Sequence, residues 1–218
     1  MHKALVNIEE INNKISEQIK ELNLKNYSPN IIAVSKTFTL DKIKPLINSG
    51  HTNFGENRVQ EALEKWTQIK DEKIKLHLIG KLQTNKVKLA LEIFDFVHSL
   101  DSEKLATKIS DEQKVRNKNL KLFIQVNIGK EIQKSGIDPK HIESFFKYCK
   151  SINLDIIGTM CLPPIGLNPE PYFKELSEIN KTLKLKELSM GMSEDYLLAI
   201  KYRSTYLRIG SKIFGQRS

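Results

Sequence analysis

Ile31-Ile32-Ala33-Val34, then Ser35-Lys36-Thr37, then Ile43, Leu46 and Ile47 up to Gly50, is the unit from which the fold is read. Four consecutive apolar residues suit a strand covered on both faces, as in a parallel sheet. Ile43, Leu46 and Ile47 fall on one side of a helix, with Thr39 ahead of them as a cap and Gly50 behind them as a stop. The alternation recurs. Short β-prone runs lie at 31–34, 52–54, 76–79, 96–99, 122–127, 156–160, 188–190 and 206–209. Asp138-Pro139 opens a helical pattern at Ile142, Phe145, Phe146 and Cys149, and Asn168-Pro169 opens another at Phe173, Leu176, Ile179 and Leu183. Ser193 with Glu194 and Asp195 sets a cap and two acids against the positive end of a helix. Eight strand–helix alternations predict an α/β protein with a parallel sheet. Eight units in particular predict a closed (β/α)8 TIM barrel over an open doubly wound sheet.

Ahead of the barrel, residues 3–24 carry Leu5, Ile8, Ile11, Ile15, Ile19 and Leu22 at intervals of three or four, the stripe of an amphipathic helix. No linker or low-complexity tract interrupts the chain. Residues 1–218 therefore read as a single domain, with an N-terminal helix at about 3–24 and the barrel at about 31–218.

Composition narrows the function classes. With 39% hydrophobic and 28% charged residues over 218 positions, disorder and a disulfide scaffold are excluded. No apolar run approaches the roughly 20 residues of a membrane span. Glu9 and Glu10 stand where a signal peptide would be apolar, and Cys149 and Cys161 lack metal spacing, so a cytoplasmic location is expected. The net charge of +9 raises the question of nucleic acid. The excess is lysine scattered along the chain, with only Arg58, Arg116, Arg203, Arg208 and Arg217 as arginines. A solvated lysine surface is the better reading, and neither a nucleic-acid nor a membrane partner is expected.

In such barrels chemistry collects where strands end and βα loops begin. Lys36 follows the purely apolar first strand, which aims it at the barrel mouth. Low-dielectric walls favour the neutral amine, the nucleophile that condenses with a carbonyl. From position alone a solvated surface lysine is the commoner outcome. The loops after strands seven and eight hold Ser189-Met190-Gly191-Met192-Ser193 and Arg208-Ile209-Gly210-Ser211, the place where barrels commonly bind phosphate. Glycine and serine there also fit ordinary turns. Taken together, the lysine and the two loops suggest a ligand with an aldehyde at one end and a phosphate at the other. His77 and His98 lack metal spacing and read as satisfied polar contacts, while Met160, Met190 and Met192 read as core or pocket wall.

Several segments carry a resemblance. They are Ala33-Val34-Ser35-Lys36-Thr37; Phe54-Gly55-Glu56-Asn57 with Val59-Gln60-Glu61; His77-Leu78-Ile79-Gly80 with Leu82-Gln83-Thr84-Asn85-Lys86; Lys134-Ser135-Gly136-Ile137; and the two loops above with Ile213-Phe214-Gly215. In this order they resemble the pyridoxal phosphate homeostasis protein family, across nearly the whole chain. The resemblance implies a fold-type III barrel like the N-terminal domain of alanine racemase. It also implies pyridoxal 5′-phosphate (PLP) held as a Schiff base on Lys36. Its phosphate would rest on Ser189, Ser193, Gly210 and Ser211, and Arg208 would face the pyridine nitrogen. Asn57 and His77 would line the pocket, with Met160 and Met190 in its wall. Arg203 and Arg58 depart from the family pattern, where glycine and an aromatic are usual.

Two function classes follow from this. One is a monomeric, non-catalytic PLP carrier or homeostasis factor, with PLP-dependent apoenzymes as acceptors. The other is a PLP-dependent amino-acid racemase, which needs a second base. Alanine racemase takes that base from an additional β domain. This chain ends eight residues after Gly210 and is expected to lack it, so the carrier is favoured. An RNA-binding protein rests on charge alone. A Schiff-base aldolase on the same fold would trap a keto substrate instead of PLP.

Overall fold

The computed structural model describes residues 2–69, 71–131 and 135–216, so Lys134 of the Lys-Ser-Gly-Ile segment lies outside the described residues. Helix α1 (Lys3–Glu21) precedes β1 (Asn30–Val34), α2 (Leu40–Asn48), β2 (Asn53–Glu56), α3 (Val59–Trp66), β3 (Lys75–Leu78) and α4 (Val87–Ile93). Then come β4 (Phe96–Leu100), α5 (Glu103–Arg116), β5 (Lys121–Val126), α6 (Ile142–Ser151), β6 (Ile156–Cys161) and α7 (Glu170–Thr182). The chain ends with β7 (Glu187–Ser189), α8 (Tyr196–Lys201), β8 (Tyr206–Ile209) and α9 (Ser211–Phe214). Each strand pairs in parallel with the next, and β8 closes onto β1 with Arg208 opposite Ile32. The eight alternations do form a closed (β/α)8 barrel.

The apolar run that opens the fold divides by parity. Ile31 and Ala33 face the helices, and Ile32 and Val34 face the barrel interior with Phe96, Phe123, Met160 and Tyr206. Successive strand residues point to opposite faces, so a strand buried on both sides must be apolar at every position. Helix α1 buries Ala4, Ile8, Ile11 and Ile15 and packs on α8 and α9. The Asn7 side chain donates to Ile213 O at 2.8 Å. The helix stops short of residue 24, and Asn23 turns the chain in the left-handed region at φ 48°.

Most strands begin or end one residue from their sequence reading, and β2 departs furthest. β2 runs on through Gly55 and Glu56, residues that local preference places in the following loop. Gly55 lies so near β1 that a Cβ there would sit 2.8 Å from Ile32 Cγ2, and Glu56 is fully buried. A carboxylate is tolerated inside only because it is paired, which local sequence does not display. Among the described residues no helix is long and apolar enough to cross a membrane.

Candidate functional site

A cavity of about 480 Å³ opens at the carboxyl ends of the strands. Its lining includes Lys36 beyond β1, Asn57 beyond β2 and Arg208 on β8, together with Ser193, Gly210 and Ser211 from the last two βα loops. The walls are apolar, from Val34, Ile79, Leu162 and Met192. The structure thus brings Lys36, Asn57, Ser193, Arg208, Gly210 and Ser211 together. His77, Met160, Ser189 and Met190 do not line the cavity. His77, Met160 and Ser189 are buried in the barrel, and Met190 packs into the layer between strands and helices.

The turn that carries Lys36 is held from behind. Ser35 N–H donates to Gly55 O at 2.9 Å. Glu56 Oε1 accepts from Ser35 Oγ at 2.7 Å, from Lys65 Nζ at 2.8 Å and from Trp66 Nε1 at 3.0 Å. Lys65 Nζ also donates to Ser35 O at 2.8 Å. A buried ion pair therefore ties the end of β1 to α3. The Phe54-Gly55-Glu56-Asn57 segment does not display this role of Glu56, because its partners come from the turn after β1 and from α3. Asn57 is held by close approach instead: a Cβ on Gly80 would lie 2.2 Å from Asn57 O, so the two backbones touch only because Gly80 has no side chain.

Arg208 is 4% exposed, and its described partners are neutral. Nη1 donates to Ser189 Oγ at 2.6 Å and Nη2 donates to Cys161 O at 2.8 Å. Burial pulls its pKa below the ordinary arginine value, against the opposing influence of Cys161 and Asp195. Burial likewise pushes the Cys161 thiol up to about 12, so that group stays neutral beside the guanidinium. Just beyond β8, Ser193 Oγ accepts from the backbone N–H groups of Gly210 and Lys212, each at 3.4 Å. Gly191 makes that turn at φ 89°, with Ala199 Cβ only 2.6 Å from where its own Cβ would be. Asp195, which also lines the cavity, accepts from Met192 N–H.

Below Arg208 the polar contacts continue inward. Ser189 Oγ lies 2.9 Å from His98 Nδ1, His98 Nε2 lies 3.0 Å from His77 Nδ1, and His77 Nε2 lies 3.0 Å from Asn53 Oδ1. Both histidines are hydrogen-bonded core residues, as the absence of metal spacing implied. Burial lowers the pKa of His77 to about 3, and that of His98 falls well below the usual 6.5 for the same first reason. Unfolding restores ordinary imidazoles, so the unfolded chain binds more protons below about pH 6.5. Stability from this pair is complete above that pH and is lost as pH falls towards 3. Urea midpoints should drop between about pH 7.5 and pH 4.5, and His98→Gln should shallow that dependence by about one proton. An identical pH dependence in the variant would show that His98 takes up a proton as readily in the folded chain as in the unfolded one.

The family model for the alanine racemase N-terminal domain matches residues 10–218. The pyridoxal phosphate homeostasis protein of Aquifex aeolicus is 39% identical over 197 residues, covering 86% of each chain. That of Haemophilus influenzae is 36% identical over 225 aligned positions, covering 97% of this chain and 95% of its own. The chain belongs to the pyridoxal phosphate homeostasis protein family. Among solved structures, PipY of Synechococcus elongatus with PLP bound is 33% identical with a TM-score of 0.81, over 92% of this chain and 100% of PipY. An alanine racemase of Clostridium difficile shares the fold at a TM-score of 0.71 and 14% identity, over 94% of this chain and 57% of its own.

Both departures from the pattern of the pyridoxal phosphate homeostasis family have a place in the structure. Arg203 is exposed at the end of α8 with φ 58°, the left-handed conformation for which glycine is best suited, and its guanidinium lies over the Tyr27 ring at 5.8 Å. Arg58 is also exposed and pairs with Glu61 at 2.9 Å.

Proposed function

We propose that this protein binds PLP at the barrel mouth and acts in its intracellular homeostasis, with Lys36 as covalent anchor and without catalytic turnover. The observation that carries the reading is the convergence in one cavity of a half-buried amine, a buried guanidinium and a rim of hydroxyls and glycine. The volume lies within the range of about 300–1,000 Å³ usual for small-ligand sites. The PLP-bound PipY structure and the names of the homeostasis relatives support the same reading.

The residues present fit the cofactor. Lys36 would hold the aldehyde, Arg208 the ring nitrogen, Asn57 the ring edge, and Ser193, Gly210 and Ser211 the phosphate. Ser189, His77, Met160 and Met190 would support these groups from the surrounding interior. Bound PLP supplies an electron sink for carbanion chemistry, strongest when its ring nitrogen is protonated. A guanidinium keeps its proton, and a fixed positive charge at that nitrogen disfavours a second one. Arg208 therefore suits holding the cofactor better than activating it. In the same reading the protein is a cytoplasmic monomer, all of 1–218 serves this one domain, and PLP-dependent apoenzymes are its acceptors.

The test is the visible spectrum of the protein with PLP, then borohydride reduction and peptide mapping. The expected outcome is one pyridoxyl group, on the Lys36 peptide. Label scattered over surface lysines, or no uptake, sinks the reading. L-Alanine α-proton exchange faster than with free PLP would replace the carrier with a racemase.

A further inference from the structure

The row of side chains beneath Arg208 has a direction, and it follows from what each atom is able to do. Arg208 Nη1 only donates, so Ser189 Oγ accepts from it at 2.6 Å. At the far end Asn53 turns Nδ2 to Thr52 Oγ1 at 3.2 Å and Oδ1 to His77 Nε2 at 3.0 Å. A carbonyl oxygen only accepts, so His77 carries its proton on Nε2. Both rings are wholly buried, His77 stacked on Phe96 at 4.2 Å and His98 on Phe123 at 4.1 Å. Among the described residues, the ionisable groups that face the pair are His51, Tyr206 and Arg208, and none of these offers a negative charge near neutrality.

Each ring is thus neutral, with one N–H. Since His77 Nε2 is protonated, its Nδ1 accepts, and the 3.0 Å contact requires His98 to donate from Nε2. His98 Nδ1 then accepts the Ser189 hydroxyl proton at 2.9 Å. Every donation runs from Arg208 to Asn53. The reverse order would direct both Arg208 and His98 at Ser189 Oγ and leave the hydroxyl proton with no acceptor in the row.

We infer that His98 is a positioning residue for Arg208, locked with His77 in the neutral Nε2–H tautomer so that the Ser189 hydroxyl presents its lone pair to the guanidinium. Each acceptor in the row is occupied, so the row takes up no proton from the cavity side. It holds Arg208 as a fixed cation. The effect on the cofactor rests on the reading that Arg208 faces bound PLP, whereas the tautomers do not.

The two are tested separately. In histidine-15N-labelled protein without cofactor, two-bond correlations should show Nε2–H on both rings, unchanged from about pH 5 to pH 9. An Nδ1–H tautomer or a charged ring in that range overturns the inference. His98→Gln can still accept from Ser189 and donate to His77, while His98→Leu can do neither. PLP affinity should stay within about threefold of native in the glutamine variant and fall by about tenfold in the leucine variant, with a shifted spectrum of bound cofactor. Native affinity in His98→Leu, or equal loss in both variants, overturns it. If the native protein takes up no PLP, the cofactor reading fails and the tautomers alone decide the row.

Discussion

Lys36→Ala is expected to abolish borohydride-fixable PLP while leaving the barrel folded. Condensation with an aldehyde needs a primary amine that can lose its proton, and alanine has none. Lys36 lies just beyond the strand that ends at Val34, and it is half-buried on the cavity wall. Its loss opens no hole among Ile31, Ile32, Ala33 and Val34, which hold β1 in place. The stability change should stay under about 1 kcal/mol, as for sites outside the core. Weak, reversible PLP binding should persist through Arg208 and the Ser193 rim, because those groups remain. Intact mass after borohydride, compared with the thermal midpoint, reads both effects. An unchanged reducible adduct at native stoichiometry would place the anchor on another lysine.

Lys65→Met should have the largest effect on stability. Glu56 is fully buried, and its cationic partner is 12% exposed. Glu56 Oε2 has no hydrogen-bond partner among the described residues, so nothing there offsets loss of the cation. Breaking a buried pair from one side costs about 3–5 kcal/mol, set against a total of about 5–15 kcal/mol for a domain. The same change frees Ser35 O, so the turn carrying Lys36 should loosen as well. Adding Glu56→Gln removes the uncompensated charge and keeps an acceptor for Ser35 and Trp66, so the double variant should recover most of the loss. Urea unfolding near neutral pH measures each term. A cost under about 1 kcal/mol for Lys65→Met would mean the pair does not hold the strand end.

Much of the architecture is local and so was legible in the chain. Eight apolar runs, each followed by helical spacing, specify strands buried on both faces and the helices that cover them. The placing of Lys36 needs only the end of one strand, and that of Ser193, Gly210 and Ser211 only two loops. His77 is different. The resemblance puts it in the pocket lining, yet it is paired in register with Phe96, the first residue of β4. The stagger between neighbouring strands in a closed barrel sets that depth. No single strand records it.

Periodicity and strand ends, which neighbouring residues encode, determined the barrel and the lysine at its mouth. Tertiary structure decided which polar groups meet inside. Closure brings Arg208 to Ser189, and Ser189 to His98 across 91 positions, and it sets Glu56 against Lys65. The reason is physical: a buried polar atom is satisfied by whatever the closed sheet places within about 3 Å of it, and that is a property of the assembled barrel.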